Sequence, residues 1–210
     1  MIVLEFLGIV ILGYLIGAAP SGVIMSRLTH GIDVREYGSG SMGMTNVVRT
    51  IGAREGVLVL LADVVKGVAA VAFAWLIFDS SSATFAWGQV AGGCAAVVGH
   101  NWPAYIGFRG GRGVTTGFGA LLVISWPVGL ISLAIFVMVV TLSRYVSLGS
   151  ILAAVTMLVV VVLFIALDVE PFASLLYALI IVPIVIFRHR GNIQRLLTGT
   201  EPKITRRANL

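Results

Sequence analysis

Residues 114–142, VTTGFGALLVISWPVGLISLAIFVMVVTL, contain no charged side chain. A transmembrane helix needs about 20 apolar residues, so this stretch is too long for one span and too short for two full ones. Pro127 lies in its middle. A proline interrupts a helix, and the residue before it favours an extended backbone. We therefore predict two short spans, residues 113–125 and 127–142, joined by a tight turn. A single kinked helix is the alternative.

The composition of the whole chain also requires a membrane. Of the 210 residues, 59% are hydrophobic and 11% are charged, whereas soluble domains carry about 25% charged residues. A chain this apolar cannot bury its side chains in a water-soluble core of its size, so we predict an all-α integral membrane protein. The single cysteine, Cys94, cannot form an intrachain disulfide and is interpreted as a small buried hydrophobe.

Five further apolar segments bring the prediction to seven transmembrane helices in a single domain of residues 1–210, followed by a soluble basic tail at residues 188–210. The first segment lacks a basic n-region and a clear cleavage site, so we interpret it as a retained span. It also carries Gly13 and Gly17, a G-x-x-x-G pair typical of close helix packing. The five segments are residues 2–25, 54–78, 85–98, 147–167 and 172–187.

The distribution of positive charge predicts the orientation. Every Lys and Arg except Lys66 lies in or beside residues 26–53, 99–113 and 143–146 or in the tail. Basic loops stay in the cytoplasm, so we place the N-terminus outside and the C-terminus in the cytoplasm of a multi-pass cell (inner) membrane protein. The net charge of +5 therefore reflects topology rather than nucleic-acid binding. With only six spans, Arg144 and the tail would lie outside, against this rule.

The first glycine-rich segment is GSGSMGMTNVVR, residues 38–49. Gly38, Gly40 and Gly43 are expected to take positive φ, and successive N–H groups in such turns form a concavity that binds anions. Arg49 adds a planar cation suited to phosphate oxygens. Further hydrogen-bonding groups come from Ser39, Ser41, Thr45 and Asn46. A simple polar turn between two helices is the alternative.

This segment also matches the dinucleotide-binding pattern G-x-G-x-x-G. The pattern is meaningful only after a β-strand and within a βαβ unit. No strand pattern precedes it here, so we reject dinucleotide binding.

The second glycine-rich loop, Arg109-Gly110-Gly111-Arg112-Gly113, leads directly into the helix expected near Val114. Free N–H groups at a helix start, together with the helix dipole, favour an anion. The alternative is that the two arginines only signal topology and contact lipid headgroups. That alternative does not require the glycines, so ligand binding is favoured.

Two further pairs of residues are candidates for function. Asp63 and Lys66 lie three apart in a predicted span, where they form either a structural ion pair or part of a functional site. His189 and Asn192 are also three apart. If the last helix continues, they share a face on which the histidine accepts a hydroxyl proton or donates a hydrogen bond. A capping or headgroup-facing histidine is the alternative.

Several common catalytic patterns are missing from the sequence. It contains neither the ATP-type G-x-x-x-x-G-K-[ST] loop, nor a zinc-type cluster, nor a G-x-S-x-G elbow. We therefore expect no metal and no cofactor. No histidine precedes an aspartate by five positions, the arrangement of one large class of glycerolipid acyltransferases. An acyltransferase of this sequence must belong to another class.

Together the motifs resemble the bacterial membrane acyltransferases that move a fatty acyl group from acyl-phosphate to glycerol 3-phosphate. The GSGNxGATN motif of that family, with an Arg three residues on, is here GSGSMGMTN with Arg49. Its GHxxP and FKGGKGVAT are here GHNWP and FRGGRGVTT, and its RYVSLASI is here RYVSLGSI at residues 144–151. D-x-x-K-G occurs at residues 63–67 and H-R-x-N-I-x-R-L-x-x-G-T-E at residues 189–201. The resemblance covers nearly the whole chain.

The resemblance implies a seven-helix membrane fold that forms lysophosphatidic acid on the cytoplasmic side, in phospholipid synthesis. Its partners would be acyl-phosphate, glycerol 3-phosphate and membrane lipids. Ser39, Arg49 and one of Arg109 or Arg112 would hold substrate phosphate. The remaining implied site residues are Gly40, Ser41, Gly43, Thr45, Asn46, Gly110, Gly111 and Ser150 for substrate binding, Ser147, His189 and Asn192 for catalysis, and Asp63, Lys66 and His100 behind the substrate-binding groups.

Four of the departures from the family pattern matter for substrate binding. The usual Asn is Ser41, the usual Ala is Met44, and the two usual lysines are Arg109 and Arg112. Arginine is not a neutral replacement for lysine at a phosphate, so phosphate affinity is expected to differ.

Two other functions share some of these features. A transporter or channel for a phosphorylated metabolite would also need a cationic cavity, but it would need polar groups on the outer face, which is nearly bare here. A non-catalytic membrane subunit would leave Ser39, Thr45, Asn46 and Asn192 unexplained together.

Overall fold

A computed structural model of the protein describes residues 1–204, and within this range the regular secondary structure is helical, with no β-strand. The rejection of a dinucleotide fold is therefore confirmed for the first glycine-rich segment, because a short 3₁₀ turn and loop precede it rather than a strand. The chain divides into two compact units, Met1–Ala120 and Leu121–Leu210. Arg206 and Arg207 of the predicted basic tail lie outside the described residues.

The first unit contains six helices among the residues that the structure describes. The first predicted span is interrupted at residues 18–20, where Pro20 cannot donate a backbone hydrogen bond, but Ile2–His30 is still long and apolar enough to be one candidate span. The helices are α1 (Ile2–Gly17), α2 (Ser21–His30), α3 (Met44–Thr50), α4 (Ala53–Ala72), α5 (Ala74–Ile77) and α6 (Phe85–Asn101).

Glycines allow α1 and α6 to pack closely. A Cβ atom added at Gly13 would lie 2.6 Å from the carbonyl oxygen of Gly92, and one at Gly17 would clash with the backbone of Ala96. The G-x-x-x-G prediction is therefore confirmed, and the partner is a helix of the same unit. A Cβ atom added at Gly92 would in turn lie 2.6 Å from the carbonyl oxygen of Ala70 on α4, so the same glycine also lets α4 approach α6.

The second unit is built from long apolar helices. Helix α7 (Val114–Ile124) crosses the boundary between the two units, and Ser125 then adopts an extended conformation. Pro127 follows in the first turn of α8, where a proline is tolerated because its missing N–H would have no intrahelical partner. The chain therefore forms two helices here and not one kinked helix. The remaining helices are α8 (Trp126–Ser143), α9 (Val146–Ala166), α10 (Ala173–Arg188) and α11 (Arg190–Leu197).

The described chain has four helical segments long and apolar enough to cross a membrane, and a fifth if the bent pair α10 and α11 is counted as one span. Large apolar side chains such as Val65, Leu142 and Val159 are exposed along these helices. Such exposure suits lipid tails and would be unfavourable in water. The protein is an integral, all-helical membrane protein, while the count of seven spans stays a prediction.

The close packing of α1 can be tested with two glycines of the same helix. Gly17→Ala adds a Cβ against the backbone of Ala96, and we expect it to destabilise the protein by about 1–3 kcal/mol. Gly8→Ala is the matched control, because nothing lies within 4 Å of its added Cβ and alanine favours a helix by up to about 1 kcal/mol. Thermal unfolding in a single detergent measures both. Equal melting temperatures for the two variants would contradict the proposed contact.

Candidate active site

The first glycine-rich segment turns at two of its three glycines. Gly38 and Gly40 have φ of 58° and 68°, in the left-handed region that favours glycine. Gly43 was expected to do the same, and this prediction is wrong. Its φ is −75° and its ψ 162°, because it is the N-cap residue of α3 and such residues are normally extended.

The side chain of Asn46 holds the loop in this shape. It is buried, and its Oδ1 accepts a hydrogen bond of 2.8 Å from the N–H of Ser39. Its Nδ2 lies within hydrogen-bonding distance of the carbonyl oxygens of Val34, Tyr37 and Ser41, at 2.9, 3.1 and 2.8 Å. The sequence suggested Asn46 as a substrate ligand. The structure reveals an organising role within the loop, and contact with substrate stays a prediction.

The other predicted ligands of this segment differ in exposure. Ser39 and Arg49 are exposed, whereas Ser41 and Thr45 are half-buried. The Ser41 hydroxyl accepts a hydrogen bond of 3.3 Å from the N–H of Gly43, so the serine that replaces the usual asparagine closes a small turn. Ser39 and Arg49 are thus the members of this set most accessible to a ligand.

The second loop, residues 109–113, rests on His100. The N–H of Gly111 donates to the carbonyl of His100 at 3.0 Å. A Cβ atom at Gly110 would clash with that carbonyl, and one at Gly111 would clash with Nε2 of the His100 ring. From the sequence, these glycines are expected to serve anion binding. The structure adds that only glycine lets the loop lie so close to the histidine.

The loop then leads directly into α7, as predicted. Gly113, the last residue before the helix, has a φ of 75°. Arg109 is exposed and Arg112 is half-buried, so the two cations of the loop differ in their access to solvent.

Behind this loop lies a buried group that we call the Asp63 cluster, consisting of Ser21, Asp63, Lys66 and His100. Oδ1 of Asp63 lies 2.8 Å from Nζ of Lys66 and 3.6 Å from Nδ1 of His100, and it accepts a hydrogen bond of 2.5 Å from Ser21. Lys66 also donates to the carbonyl of Ala19 at 3.0 Å. The predicted ion pair is therefore present, and it joins α2, α4 and α6.

The cluster is not a nucleophilic triad, although Thr116 lies 3.1 Å from His100. Its hydroxyl approaches the same ring nitrogen, Nδ1, that faces Asp63. In a Ser-His-Asp relay, the nucleophile and the carboxylate bind opposite nitrogens of the imidazole. Thr116 is also completely buried. The contacts of His100 therefore fit support of the second loop and do not fit activation of a nucleophile.

In the second unit, three side chains donate hydrogen bonds to Glu201. Two of them, Ser147 and Asn192, are predicted site residues, and the third is Arg195. Ser147 Oγ and Asn192 Nδ2 both donate to Oε1 of Glu201 at 2.6 Å, and Arg195 Nε donates to Oε2 at 2.8 Å. Burial raises the pKa of Glu201, but these three hydrogen bonds outweigh it and hold the pKa below its usual range. Glu201 was not among the residues predicted from the sequence. The only signal was its place at the end of the tail motif.

His189 lies between two helices and not within one. Helix α10 ends at Arg188 and α11 begins at Arg190, with a bend of 58°. The condition under which His189 and Asn192 would share a helix face, that the last helix continues past Arg188, is therefore not met. Both residues are buried, and Nδ1 of His189 lies 2.8 Å from the carbonyl oxygen of Val185. Because a carbonyl only accepts, Nδ1 is the donor and Nε2 of the neutral ring carries the lone pair.

Ser150, the last predicted ligand, is buried and donates to the carbonyl of Val146 at 2.9 Å within α9. Among residues 1–204, no three His, Cys, Asp or Glu side chains are grouped so that they could hold a metal ion. The chemistry available in the described part of the chain therefore comes from loops, arginines and buried hydrogen-bonding groups.

Comparison with known proteins gives a consistent result. The model of the glycerol-3-phosphate acyltransferase family matches residues 7–199. The glycerol-3-phosphate acyltransferase of Parasynechococcus marenigrum (strain WH8102) is 42% identical over 207 residues, covering 99% of this chain and 93% of the relative. The enzyme of the same name from Synechococcus sp. (strain CC9902) is 44% identical over 193 residues, covering 92% of each chain.

Two crystal structures are also similar to this chain. Both are of PlsY (YgiH), an integral membrane glycerol 3-phosphate acyltransferase. The glycerol 3-phosphate form has a TM-score of 0.85 and 38% identity, covering 95% of this chain and 96% of that one. The lysphosphatidic acid form has a TM-score of 0.83 and 37% identity, covering 95% of each chain.

Glu201→Gln keeps the size of the side chain but removes the charge that three donors bind. We expect it to lower the free energy of unfolding at pH 7 by about 1.5–3 kcal/mol, the range for hydrogen bonds to charged groups. The pKa of Glu201 is lower in the folded state, so this stabilisation is present above the unfolded value of about 4.3 and is lost as the pH falls through the folded value. The variant and wild type should therefore converge in acid.

Thermal unfolding in detergent between about pH 3 and pH 8 would measure this difference. Glu36→Gln is the control, because Glu36 is exposed and should change stability little. A constant gap between wild type and Glu201→Gln across the whole pH series would contradict the assigned role of the carboxylate.

Proposed function

The chain belongs to the glycerol-3-phosphate acyltransferase family, and on this premise we propose that it transfers an acyl group from acyl-phosphate to glycerol 3-phosphate, giving 1-acyl-glycerol 3-phosphate (lysophosphatidic acid). Membership of this family makes the protein an acyltransferase. The choice of acyl-phosphate as donor rests on the resemblance of its motifs to those of acyl-phosphate-dependent enzymes. Such an enzyme must bring two phosphate-bearing substrates together, which repel each other.

The observation that carries this proposal is that two glycine-rich, arginine-bearing loops are neighbours within the first unit. Arg35, just before the first segment, donates to the carbonyls of Ile106 and Arg109, the latter at the start of the second loop. Two adjacent sites built from N–H groups and guanidinium groups suit two phosphates. Their cationic groups offset the repulsion between the substrates and fix the reacting atoms.

Within this site we assign substrate phosphate to Ser39, Arg49 and one of Arg109 or Arg112. Gly110 and Gly111 let the second loop lie flat on His100, and we assign their backbone to substrate binding. The Asp63 cluster supports this loop through His100, whose carbonyl accepts a hydrogen bond from the N–H of Gly111. The further substrate-binding residues that we propose in the first unit are Gly40, Ser41, Gly43, Thr45 and Asn46. In the second unit we propose Ser150.

The chemical step in this proposal needs no protein nucleophile, because acyl-phosphate is already activated. The glycerol hydroxyl oxygen attacks the acyl carbonyl carbon and forms the ester. The bond from that carbon to the phosphate oxygen breaks, and inorganic phosphate leaves. The hydroxyl proton passes to a base, which is either Nε2 of His189 or a phosphate oxygen of a substrate. Asn192 and Ser147, both held by Glu201, position the hydroxyl.

We also infer the topology of the reaction. The chain spans the cell (inner) membrane seven times, with the N-terminus outside, and the reaction takes place on the cytoplasmic side. This inference is supported by the concentration of Lys and Arg in the segments that hold the glycine-rich loops and in the tail.

Arg49→Ala tests the function and the site together. Purified protein in lipid, given acyl-phosphate and glycerol 3-phosphate, should form lysophosphatidic acid, and Arg49→Ala should reduce kcat/KM by about 10²-fold or more. Arg54→Ala is the matched control, since it removes an exposed positive charge nearby and should keep its activity. Equal turnover by Arg49→Ala and wild type would refute the site assignment. An inactive wild type would refute the proposed function.

The absence of an acyl-enzyme is a separate expectation. Incubation of the protein with acyl-phosphate alone, followed by mass spectrometry of the intact chain, should reveal no added acyl mass, because no step of the proposed reaction attaches the acyl group to a side chain. Trapping with hydroxylamine should likewise release no hydroxamate from the protein. A stable adduct that glycerol 3-phosphate discharges would replace direct attack with a two-step mechanism.

A further inference from the structure

The segment before the first glycine-rich loop contains a closely hydrogen-bonded ion pair. Arg35 donates through Nε to Oδ1 of Asp33 at 2.9 Å and through Nη2 to Oδ2 at 2.8 Å, a two-pronged pairing. The backbone N–H of Arg35 also donates to Oδ1 of Asp33 at 3.1 Å. Both side chains are largely buried, with exposed fractions of 15% and 11%. The guanidinium group is therefore held in one orientation.

The remaining donor group of Arg35 points away from Asp33 to another part of the chain. Its Nη1 donates to the carbonyl of Ile106 at 2.8 Å and makes a longer contact of 3.4 Å with the carbonyl of Arg109. Arg109 is the first residue of the second loop. The contact therefore joins segments far apart in sequence, because Ile106 lies 71 residues and Arg109 lies 74 residues after Arg35.

We propose that Arg35 is a positioning residue that fixes the second loop for substrate binding. Each of its three side-chain nitrogens already donates to Asp33, Ile106 or Arg109, so we assign Arg35 to holding the backbone of the loop and not to binding substrate phosphate. Asp33 orients the guanidinium group of Arg35. The guanidinium group in turn fixes the backbone position at which the second loop, residues 109–113, begins. The inference rests on the proposed function, which assigns a substrate phosphate to that loop.

The ion pair is suited to a permanent role. The side-chain hydrogen bond from Arg35 holds the pKa of Asp33 well below its usual range, and the same bond raises the pKa of Arg35. Both groups therefore stay charged across the physiological pH range. Sequence analysis counted Arg35 only among the basic residues that indicate topology, because nothing in the sequence reveals its partners at positions 106 and 109.

Lysine cannot replace arginine here, although it keeps the charge. One ammonium group lacks the planar fork that reaches both oxygens of Asp33 and a carbonyl on the other side. We expect Arg35→Lys to raise the KM of whichever substrate has its phosphate on the second loop by about tenfold or more, the loss typical of a charge-assisted hydrogen bond. The KM of the other substrate and kcat should change much less, because the interaction lost is one of binding.

Arg27 provides a matched control, because it also donates to Oδ2 of Asp33, at 3.0 Å. Its side chain is 60% exposed, and its hydrogen bond to Asp33 does not reach the second loop. Arg27→Lys therefore makes the same chemical change against the same carboxylate. Both KM values should stay at the wild-type level. Asp33→Asn is a second test variant, which should raise the same KM as Arg35→Lys because it releases the guanidinium group.

Hydrogen exchange of the peptide covering residues 104–113 gives a readout that does not depend on activity. Exchange should be faster in Arg35→Lys and Asp33→Asn than in wild type, and unchanged in Arg27→Lys, with the rest of the chain protected in all four proteins. Unchanged exchange in both test variants would overturn the inference. So would unchanged KM values for both substrates in an active enzyme.

The failure of the proposed function has a different signature. An inactive wild type would refute that function, and hydrogen exchange would still decide whether Arg35 positions the loop. If Arg35→Lys does not fold, Asp33→Asn decides the same question with a smaller change. General unfolding would accelerate exchange along the whole chain, whereas loss of positioning accelerates it at residues 104–113.

Discussion

The first unit depends on the interactions of the buried carboxylate of Asp63 with its neighbours on α2, α4 and α6. A buried charge is costly unless it is paired and hydrogen-bonded, and Lys66 of α4 and Ser21 of α2 meet this requirement at one carboxylate oxygen, Oδ1. His100 of α6 lies on the same oxygen, and the second loop lies on His100. A polar group deep among apolar helices thus sets the position of a loop at the end of α6. Removing Lys66 would leave the buried carboxylate without its opposite charge.

Much of the fold follows from local sequence signals. The uncharged stretch and Pro127 predicted a break that the structure places at Ser125, and the G-x-x-x-G pair predicted the close contact of α1 with another helix. These features depend on the backbone and on nearest neighbours, so the sequence reveals them directly. Gly43 was misjudged, and the sequence left open whether the last helix continues through His189. The conformation of each residue depends on where the next helix begins, which tertiary packing decides.

The organising residues of the candidate site were harder to recognise. Asn46 was assigned to a ligand, and the structure adds that its side chain holds its own loop, whereas Glu201 was not assigned at all. In both cases the partners are hydrogen-bonding groups whose positions only the folded chain determines. The glycines of the second loop likewise have two roles, of which the sequence reveals only one. The sequence indicated an affinity for anions, whereas the contact with the imidazole of His100 appears only in three dimensions.

The burial of Cys94 in α6 has a practical consequence for this protein. It is the single cysteine of the sequence, and its thiol is packed among the helices of the first unit. Water-soluble maleimides that do not cross a bilayer would have little access to it, so the native chain can serve as a silent background for site-directed spin or fluorophore labelling. Introduced cysteines could then report sidedness and distances without prior removal of the natural thiol, which would leave a cavity in a tightly packed helix.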